Sequence, residues 1–273
     1  MQGRLSPLIG GRIQAFPWPY WEDEFALGQG LGLSCMEWTL DRERIYENPL
    51  MTEAGRARIA ALSRASGIAV PSLTGDFCMQ APFWTVEGDA RRERIAIFED
   101  VLRACGAAGI GIIVVPLVDN GAITSEAARA CLERTLLGLQ PLLHRLGLMV
   151  AFESDFPPAR LAAFIGGMPA DRFGINFDMG NSASLGWDAG EEIGLLAPRI
   201  VNVHVKDRPL GGTTVPLGQG AVDFPRVFGA LGARGYAGNY ILQTARATDD
   251  QHVQTLRRYA DFVTGQLSPR HGA

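Results

Sequence analysis

The chain has 273 residues, 47% of them hydrophobic, with 25 lysine and arginine residues against 29 aspartate and glutamate residues. This composition excludes a disulfide-stapled miniprotein and a mainly disordered chain. The formal net charge of -4 argues against nucleic acid as a partner. Since one α/β barrel takes about 250 residues, we expect a single domain over residues 1–273.

Short apolar runs alternate with longer segments of helical periodicity along the chain, without a low-complexity linker. This alternation predicts βα units. The predicted strands are, in chain order, residues 1–5, 33–38, 68–74, 111–117, 148–153, 173–178, 200–205 and 239–243. The predicted helices between them include residues 52–65, 91–108, 125–146, 224–233 and 251–265.

Local residue choices support these boundaries and indicate the kind of sheet. Ser125 provides an N-cap before one helix, and Gly67, Gly109 and Gly147 each lie where a left-handed C-cap is needed. Several strands are almost continuously apolar, which is typical of a parallel sheet covered on both faces. Because the G-x-G-x-x-G fingerprint is absent after the first strand, we predict an α/β fold that is a closed (β/α)8 TIM barrel.

Polar side chains end four successive predicted strands, the fifth to the eighth. They are Glu153, Asp178, His204 and Gln243. Because the C-terminal ends of barrel strands surround one cavity, we expect these side chains to converge. Two carboxylates, one imidazole and one amide oxygen suit Mn2+, Mg2+ or Co2+, with Zn2+ as an alternative.

The same residues also have a structural interpretation. Glu153 and Asp178 could cap helices or pair with Lys206 and Arg208, and His204 could be a hydrogen-bonded core histidine. Their clustering at one end of the barrel favours the metal site, since residues that stabilise a barrel concentrate at its opposite, N-terminal face.

Four strings resemble the xylose isomerase-like TIM-barrel superfamily of sugar and sugar-phosphate isomerases and epimerases. They are FESD at 152–155, NFDMGN at 176–181, NVHVKDR at 202–208 and LGQGAVDF at 217–224. The resemblance covers almost the whole chain. It implies that Glu153, Asp178, His204 and Gln243 bind the metal, with Gln243 standing where the family has a glutamate.

Gln243 bears on the reaction class that this resemblance implies. Epimerases of the family are thought to use one glutamate on each face of the substrate, and an amide cannot accept a proton near neutral pH. We therefore expect a metal-dependent isomerase of the aldose–ketose type, in which Glu153 carries the proton along one face of an enediolate. Gln243 would then complete the metal shell or orient a substrate hydroxyl.

Further polar residues are expected to contact a small sugar or sugar phosphate. They are Glu37, Asn181, Lys206, Asp207 and Arg246. Glycines at 211–212 and 218–220 with Arg246 suit a phosphate, although they equally suit a long turn. For Asp76 and Asp119, sugar binding and helix N-capping are equal alternatives.

Two aromatic segments, 16–21 and 82–84, are interpreted either as an apolar lid or as the contact of a homodimer. The N-terminus lacks the apolar core of a signal peptide, and the four cysteines are scattered singly. These features predict a cytoplasmic protein without a membrane partner. His144, His252 and His271 are expected to have surface or structural roles.

Two other function classes stay open. A metallohydrolase resembling endonuclease IV would need more histidines than the four in this chain. Gln243 suggests the second class, because an amide in place of the family's glutamate indicates a site whose function has changed. This class comprises a non-catalytic or metal-free sugar-binding barrel and a lyase or dehydratase. Metal content and proton exchange into candidate sugars would separate these classes from the isomerase.

Overall fold

Seven parallel strands form one sheet in which each strand pairs with the next in sequence. The structure, a computed structural model, describes residues 1–267, so His271 lies outside the described residues. The strands are β1 (Cys35–Thr39), β2 (Ala69–Thr74), β3 (Ile112–Leu117), β4 (Met149–Ser154), β5 (Phe173–Asp178), β6 (Ile200–Val205) and β7 (Tyr240–Leu242). They correspond to the second to eighth predicted strands and form a nearly closed barrel, which confirms the predicted fold class.

The N-terminal residues lie between the two edge strands, β1 and β7. The backbone N–H of Glu37 donates to the carbonyl of Met1 at 2.7 Å, and the N–H of Gln2 donates to β7 at 3.2 Å. The prediction of a full first strand is wrong, because the N–H of Leu5 donates to the Glu24 carboxylate at 3.2 Å instead of extending a ladder.

Helices cover the outside of the sheet. They are α1 (Asp23–Gly30), α2 (Glu53–Ser66), α3 (Asp76–Gln80), α4 (Gly88–Ala108), α5 (Glu126–Gly138), α6 (Gln140–Leu146), α7 (Pro158–Gly166), α8 (Met179–Leu185), α9 (Ala189–Leu196), α10 (Phe224–Ala233) and α11 (His252–Leu267). The helix predicted over 125–146 is divided between α5 and α6, because Pro141 in the first turn of α6 has no N–H to continue the preceding helix.

The predicted helix caps are confirmed. The hydroxyl of Ser125 accepts a hydrogen bond from the N–H of Ala128 at 3.1 Å, at the start of α5. Gly67, Gly109 and Gly147 follow α2, α4 and α6 in the left-handed conformation. These caps satisfy backbone groups that the helix ends leave unpaired, and they fix where each helix meets the next strand.

The aromatic rings at 16–21 and 82–84 belong largely to the core. Phe16 and Trp84 are each 2% exposed, and the Phe16 ring packs against Trp18 and Trp38 at centroid distances of 5.0 and 5.2 Å. The interpretation of Phe16 and Trp84 as an exposed lid or dimer contact is therefore wrong. Burial of rings of this size stabilises the barrel instead, and a homodimer stays a prediction.

Among residues 1–267, no helix is both long enough and apolar enough to cross a lipid bilayer. All four cysteines are free thiols, and Cys78, Cys105 and Cys131 are buried.

Candidate active site at the mouth of the barrel

The C-terminal ends of β4, β5 and β6 bring Glu153, Asp178 and His204 together. One ligand atom of each residue lies within 4.8 Å of the others, and all three residues are buried. Nδ1 of His204 is 3.1 Å from Oε2 of Glu153 and 3.8 Å from Oδ2 of Asp178. Three of the four residues expected to bind metal therefore face one point.

Gln243 follows β7 and lines the same cavity as Glu153. It is 3% exposed, and its Oε1 has no hydrogen-bond partner among the described residues. Because an unpaired buried polar atom costs about 1–3 kcal/mol, this oxygen is suited to a cation or a substrate hydroxyl in the cavity.

Glu37 on β1 is buried behind the imidazole of His204. Its Oε1 lies 2.7 Å from Nε2 of His204, and Ser72 and Asn202 donate to its Oε2 at 2.8 and 2.9 Å. Burial alone would raise the pKa of Glu37, but the charge of His204 and hydrogen bonds from His204, Thr74 and Ser72 lower it to about 2. At 1% exposure, Glu37 contacts His204 and has no surface for the substrate contact that the sequence led us to expect.

The surroundings of His204 favour a positive charge at its ring. Burial alone would lower the pKa of His204, but the charge of Glu37 and hydrogen bonds to Asp178 and Glu153 raise it well above its usual range. A proton and a divalent cation compete for the same ring nitrogen when the other nitrogen is held by a carboxylate. The donor set therefore fits a cation at Nδ1.

Asp178 both caps a helix and pairs with a lysine, which are the two contacts that the structural interpretation of the sequence predicted. Its Oδ1 accepts from the backbone N–H of Asn181 at 2.9 Å, which caps α8, and its Oδ2 lies 2.7 Å from Nζ of Lys206. Burial alone would raise the pKa of Asp178, but the charge of Lys206 and its interactions with His204 hold it well below its usual range. Asp178 is thus an ionised carboxylate that caps a helix and also faces His204.

Asparagines that the sequence reasoning largely missed orient Glu153. Nδ2 of Asn176 donates to Oε2 of Glu153 at 2.9 Å, and Nδ2 of Asn181 donates to Oε1 at 2.7 Å. Asn202 in turn donates to Oδ1 of Asn176 at 2.8 Å. Asn176 and Asn202 each lie two positions before an expected metal ligand, and the two-residue period of a strand would have identified them.

Asp207 holds the loop after β6 and does not face the cavity. It is 0% exposed and accepts from the N–H groups of Gly218 and Gly220 at 2.8 and 2.9 Å. A Cβ atom on Gly220 would lie 2.1 Å from Oδ1 of Asp207, so the loop requires glycine there. Asp207 therefore binds this loop and does not make the substrate contact that the sequence led us to expect.

Arg246 holds the N-terminal segment. Its guanidinium donates to the carbonyl of Gly3 at 2.6 Å and to the carbonyl of Ser6. The described residues that line the Glu153 cavity do not include Arg246, which borders a separate cavity beside α11. The structure therefore separates Arg246 from the site at which it was expected to bind phosphate.

The cavity at the mouth has a volume of about 440 Å³, within the range of small-ligand sites. Its charged lining residues are Asp76, Asp119, Glu153, Asp155, Lys206 and Arg208. Its uncharged polar lining residues are Gln14, Thr74, Gln80, Asn181, Ser184, Thr213, Thr214 and Gln243. This combination suits a polar ligand of sugar size.

Asp76 lies in this cavity as a buried acid. Neither Asp76 nor Asp119 caps a helix with its side chain, because the N-cap residues before them are Gly75 and Val118. Nε2 of Gln14 donates to Oδ2 of Asp76 at 2.6 Å. Burial raises the pKa of Asp76 to about 7. The capping alternative is therefore wrong for both aspartates.

Comparison with known proteins gives concordant matches over most of the chain. A family model described as xylose isomerase-like TIM barrel matches residues 25–262. The L-ribulose-5-phosphate 3-epimerase UlaE of Escherichia coli O157:H7 is 25% identical over 261 residues, which are 91% of this chain and 90% of the relative.

Solved structures show the same fold. The D-psicose 3-epimerase of Clostridium cellulolyticum H10, solved with D-tagatose, has a TM-score of 0.75 at 13% identity, over 90% of this chain and 93% of the other. The IolI protein, solved with a bound zinc atom, has a TM-score of 0.74 at 16% identity, over 92% and 94% of the two chains.

Proposed function

Since this chain belongs to the xylose isomerase-like TIM-barrel family, we propose that it is a metal-dependent sugar isomerase of the aldose–ketose type. The proposed reaction moves a proton between a sugar's carbonyl carbon and the carbon next to it. One observation carries the proposal. Glu153, Asp178 and His204 converge beside a sugar-sized cavity into which Gln243 presents an unpaired amide oxygen.

Glu153, Asp178 and His204 would hold the divalent cation, with the Gln243 amide oxygen as a further ligand. Two carboxylates, one imidazole and one amide suit Mn2+, Mg2+ or Co2+, and the zinc bound by IolI makes Zn2+ an alternative. When bound, the cation polarises the sugar carbonyl and offsets the negative charge that develops on its oxygen.

Glu153 is the proposed base. It removes the proton from the carbon next to the carbonyl and, after partial exchange with solvent, donates a proton to the former carbonyl carbon of the enediolate, while the proton of the adjacent hydroxyl moves to the former carbonyl oxygen. Hydrogen bonds from Asn176 and Asn181 at 2.9 and 2.7 Å hold its carboxylate in one orientation. Because Gln243 cannot accept a proton near neutral pH, one carboxylate serves both transfers on one face of the sugar. This supports isomerisation over a two-base epimerisation.

Three other residues have proposed supporting roles. Glu37 is a positioning residue, which holds Nε2 of His204 so that Nδ1 points toward the two carboxylates. Lys206 balances the charge of Asp178 from 2.7 Å and lines the cavity with Asn181. Lys206 and Asn181 are therefore the proposed contacts to substrate hydroxyls.

Epimerisation beside the carbonyl is a second candidate reaction, since UlaE and the D-psicose enzyme are named 3-epimerases. It needs a second group that carries a proton. Asp76 lines the same cavity as Glu153, and burial raises its pKa to about 7, so it can both donate and accept a proton near neutral pH.

The proposal is tested by metal titration and proton exchange. Mn2+, Mg2+, Co2+ and Zn2+ are titrated into chelator-treated wild type and His204→Ala, and the loaded enzyme is incubated with ketoses in D2O and followed by NMR. Stoichiometric binding that His204→Ala loses, with deuterium entry and an aldose product, supports the isomerase. A 3-epimer product supports the second candidate, whereas absence of metal binding favours a metal-free lyase, dehydratase or sugar-binding barrel.

A further inference from the structure

The charges around the Glu153 cavity indicate which class of sugar it accepts. Building on the proposed function, we propose that the substrate is a free, uncharged polyhydroxy carbonyl compound and that phosphate esters are discriminated against. Three independent features of the site support this: its cations are engaged, its glycine loop is filled, and its remaining charges are acidic.

Both cations that line the cavity already make contacts within the protein. Nζ of Lys206 lies 2.7 Å from Oδ2 of Asp178. Nε of Arg208 donates to the carbonyl of Gly212 at 2.8 Å, and Nη1 donates to Oδ1 of Asn181 at 2.8 Å. A phosphate is bound in proteins by charge-assisted hydrogen bonds from arginine or lysine. Here Lys206 would have to share its charge between a phosphate and Asp178, and Arg208 would have to share its guanidinium between a phosphate and the contact that positions Asn181.

The glycine loop that suggested a phosphate site holds the protein's own carboxylate. The N–H groups of Gly218, Gly220 and Val222 donate to Asp207 at 2.8, 2.9 and 3.2 Å. These N–H groups of alternate residues converge on one carboxylate and form an anion-binding concavity, while the N–H groups of Gln219 and Ala221 donate to backbone carbonyls. Because Asp207 is 0% exposed and occupies this concavity, the loop has no free donors for a phosphate.

The remaining charged side chains of the cavity repel an anion. Asp76 is 4% exposed and faces the cavity with Glu153, while Asp119 and Asp155 are exposed at its rim. Asp119 and Asp155 are not among the residues that would hold the cation, so their charges stay uncompensated, and a phosphate ester with close to two negative charges at neutral pH is disfavoured beside them.

The uncharged lining groups suit a polyhydroxy compound. Oε1 of Gln243 is a buried acceptor without a partner among the described residues, and Thr74, Thr213 and Thr214 in the lining both donate and accept. Sugar hydroxyls match these groups with or without a phosphate ester, so discrimination against the ester rests on the charges of the cavity and on the occupied loop.

The test compares a matched pair, L-ribulose and L-ribulose 5-phosphate, with the metal-loaded enzyme. We expect kcat/KM for solvent proton exchange to be at least about 100-fold higher for the free sugar, because like-charge juxtaposition strongly disfavours the ester. Added salt should narrow the gap by screening the repulsion. An equal or higher value for the ester overturns the inference while leaving the proposed isomerase intact.

Charge variants separate repulsion from other causes. Asp119→Asn and Asp155→Asn should each raise the ester-to-free ratio by about three- to tenfold. Asp171→Asn, an exposed aspartate before β5 at the opposite end of the barrel, removes the same charge and should leave the ratio unchanged. A ratio that moves equally in all three variants, or in none, contradicts the inference.

Failure of the proposed function would be recognised separately. If neither sugar of this pair and no ketose of the proton-exchange test is active, the isomerase proposal fails, and calorimetric binding of the same pair to the metal-loaded protein then decides the inference. Tighter binding of L-ribulose supports it, and tighter or equal binding of L-ribulose 5-phosphate overturns it.

Discussion

Nε2 of His204 lies 2.7 Å from Oε1 of Glu37, while Nδ1 of the same ring lies 3.1 Å from Oε2 of Glu153. One carboxylate therefore fixes the imidazole from behind, and the other meets it at the mouth of the barrel. A histidine that ligates a metal is oriented in this way by a carboxylate on its second nitrogen. The site thus depends on a residue of β1 that cannot itself reach the substrate.

Replacing Glu37 tests this relationship. Glu37→Gln removes the charge that holds Nε2, and we expect affinity for Mn2+ or Zn2+ to fall by about 10- to 100-fold. Calorimetric titration of chelator-treated protein measures the change in metal affinity, and His204→Ala serves as the reference for complete loss of metal binding. Unchanged affinity in a folded Glu37→Gln protein would show that the carboxylate does not orient a metal ligand.

Replacing Gln243 tests whether its amide belongs to the metal shell. Gln243→Glu adds a negative charge at the position of the unpaired oxygen, and we expect metal affinity to rise by about tenfold or more, since affinity follows ligand charge. Gln251→Glu is the matched control, because Gln251 is exposed before α11. If both variants bind metal as wild type does, Gln243 is not a ligand.

Replacing Glu153 tests the assignment of the base. Glu153→Gln cannot accept a proton, and we expect the rate of deuterium entry into substrate to fall by about 10²- to 10⁴-fold. Its circular dichroism spectrum should match that of wild type. Glu87→Gln, at a side chain 93% exposed, serves as the control. Wild-type exchange by Glu153→Gln would eliminate this residue as the base.

Glu192 on α9 should make stability depend on pH. It is 5% exposed and is bound by the hydroxyl of Ser182, and burial raises its pKa from 4.5 to about 7. The folded state therefore holds an extra proton between these values, so the free energy of unfolding falls as pH rises through that window.

The Glu192→Gln variant should remove this decline, which amounts to up to about 3 kcal/mol. Urea unfolding at pH 5 and pH 8 would then show a smaller loss of stability for the variant than for wild type. Glu191→Gln, exposed at the adjacent position, should retain the wild-type decline. A Glu192→Gln protein that loses as much stability as wild type would show that Glu192 titrates normally.

Much of the fold could be predicted because periodicity and caps are local properties. The second to eighth strands and the glycine C-caps at 67, 109 and 147 lie where the sequence pattern places them. The first strand could not be predicted over its full length, because the N–H of Leu5 donates to Glu24, a residue of α1 that reaches it only in the folded chain.

Residues 202–208 show which part of the site could not be predicted from the sequence. His204 and Lys206 face the mouth, whereas Asp207 turns to the loop and binds Gly218 and Gly220. The two-residue alternation of a strand explains why His204 and Lys206 share a side. The partner of Asp207 lies more than ten residues away and was not evident from its neighbours.

The sequence by itself determined the barrel, its strand ends and the residue types at its mouth, because hydrophobic period and turn chemistry act over short distances. Only the tertiary structure decided which polar groups face the cavity and which bond within the protein. The sequence shows the same charged residue types whether they face the cavity or bond within the protein, as do Glu37, Asp207 and Arg246. Their roles depend on partners up to 243 residues distant along the chain. Burial and partner geometry, which arise only on folding, separate a substrate contact from a structural ion.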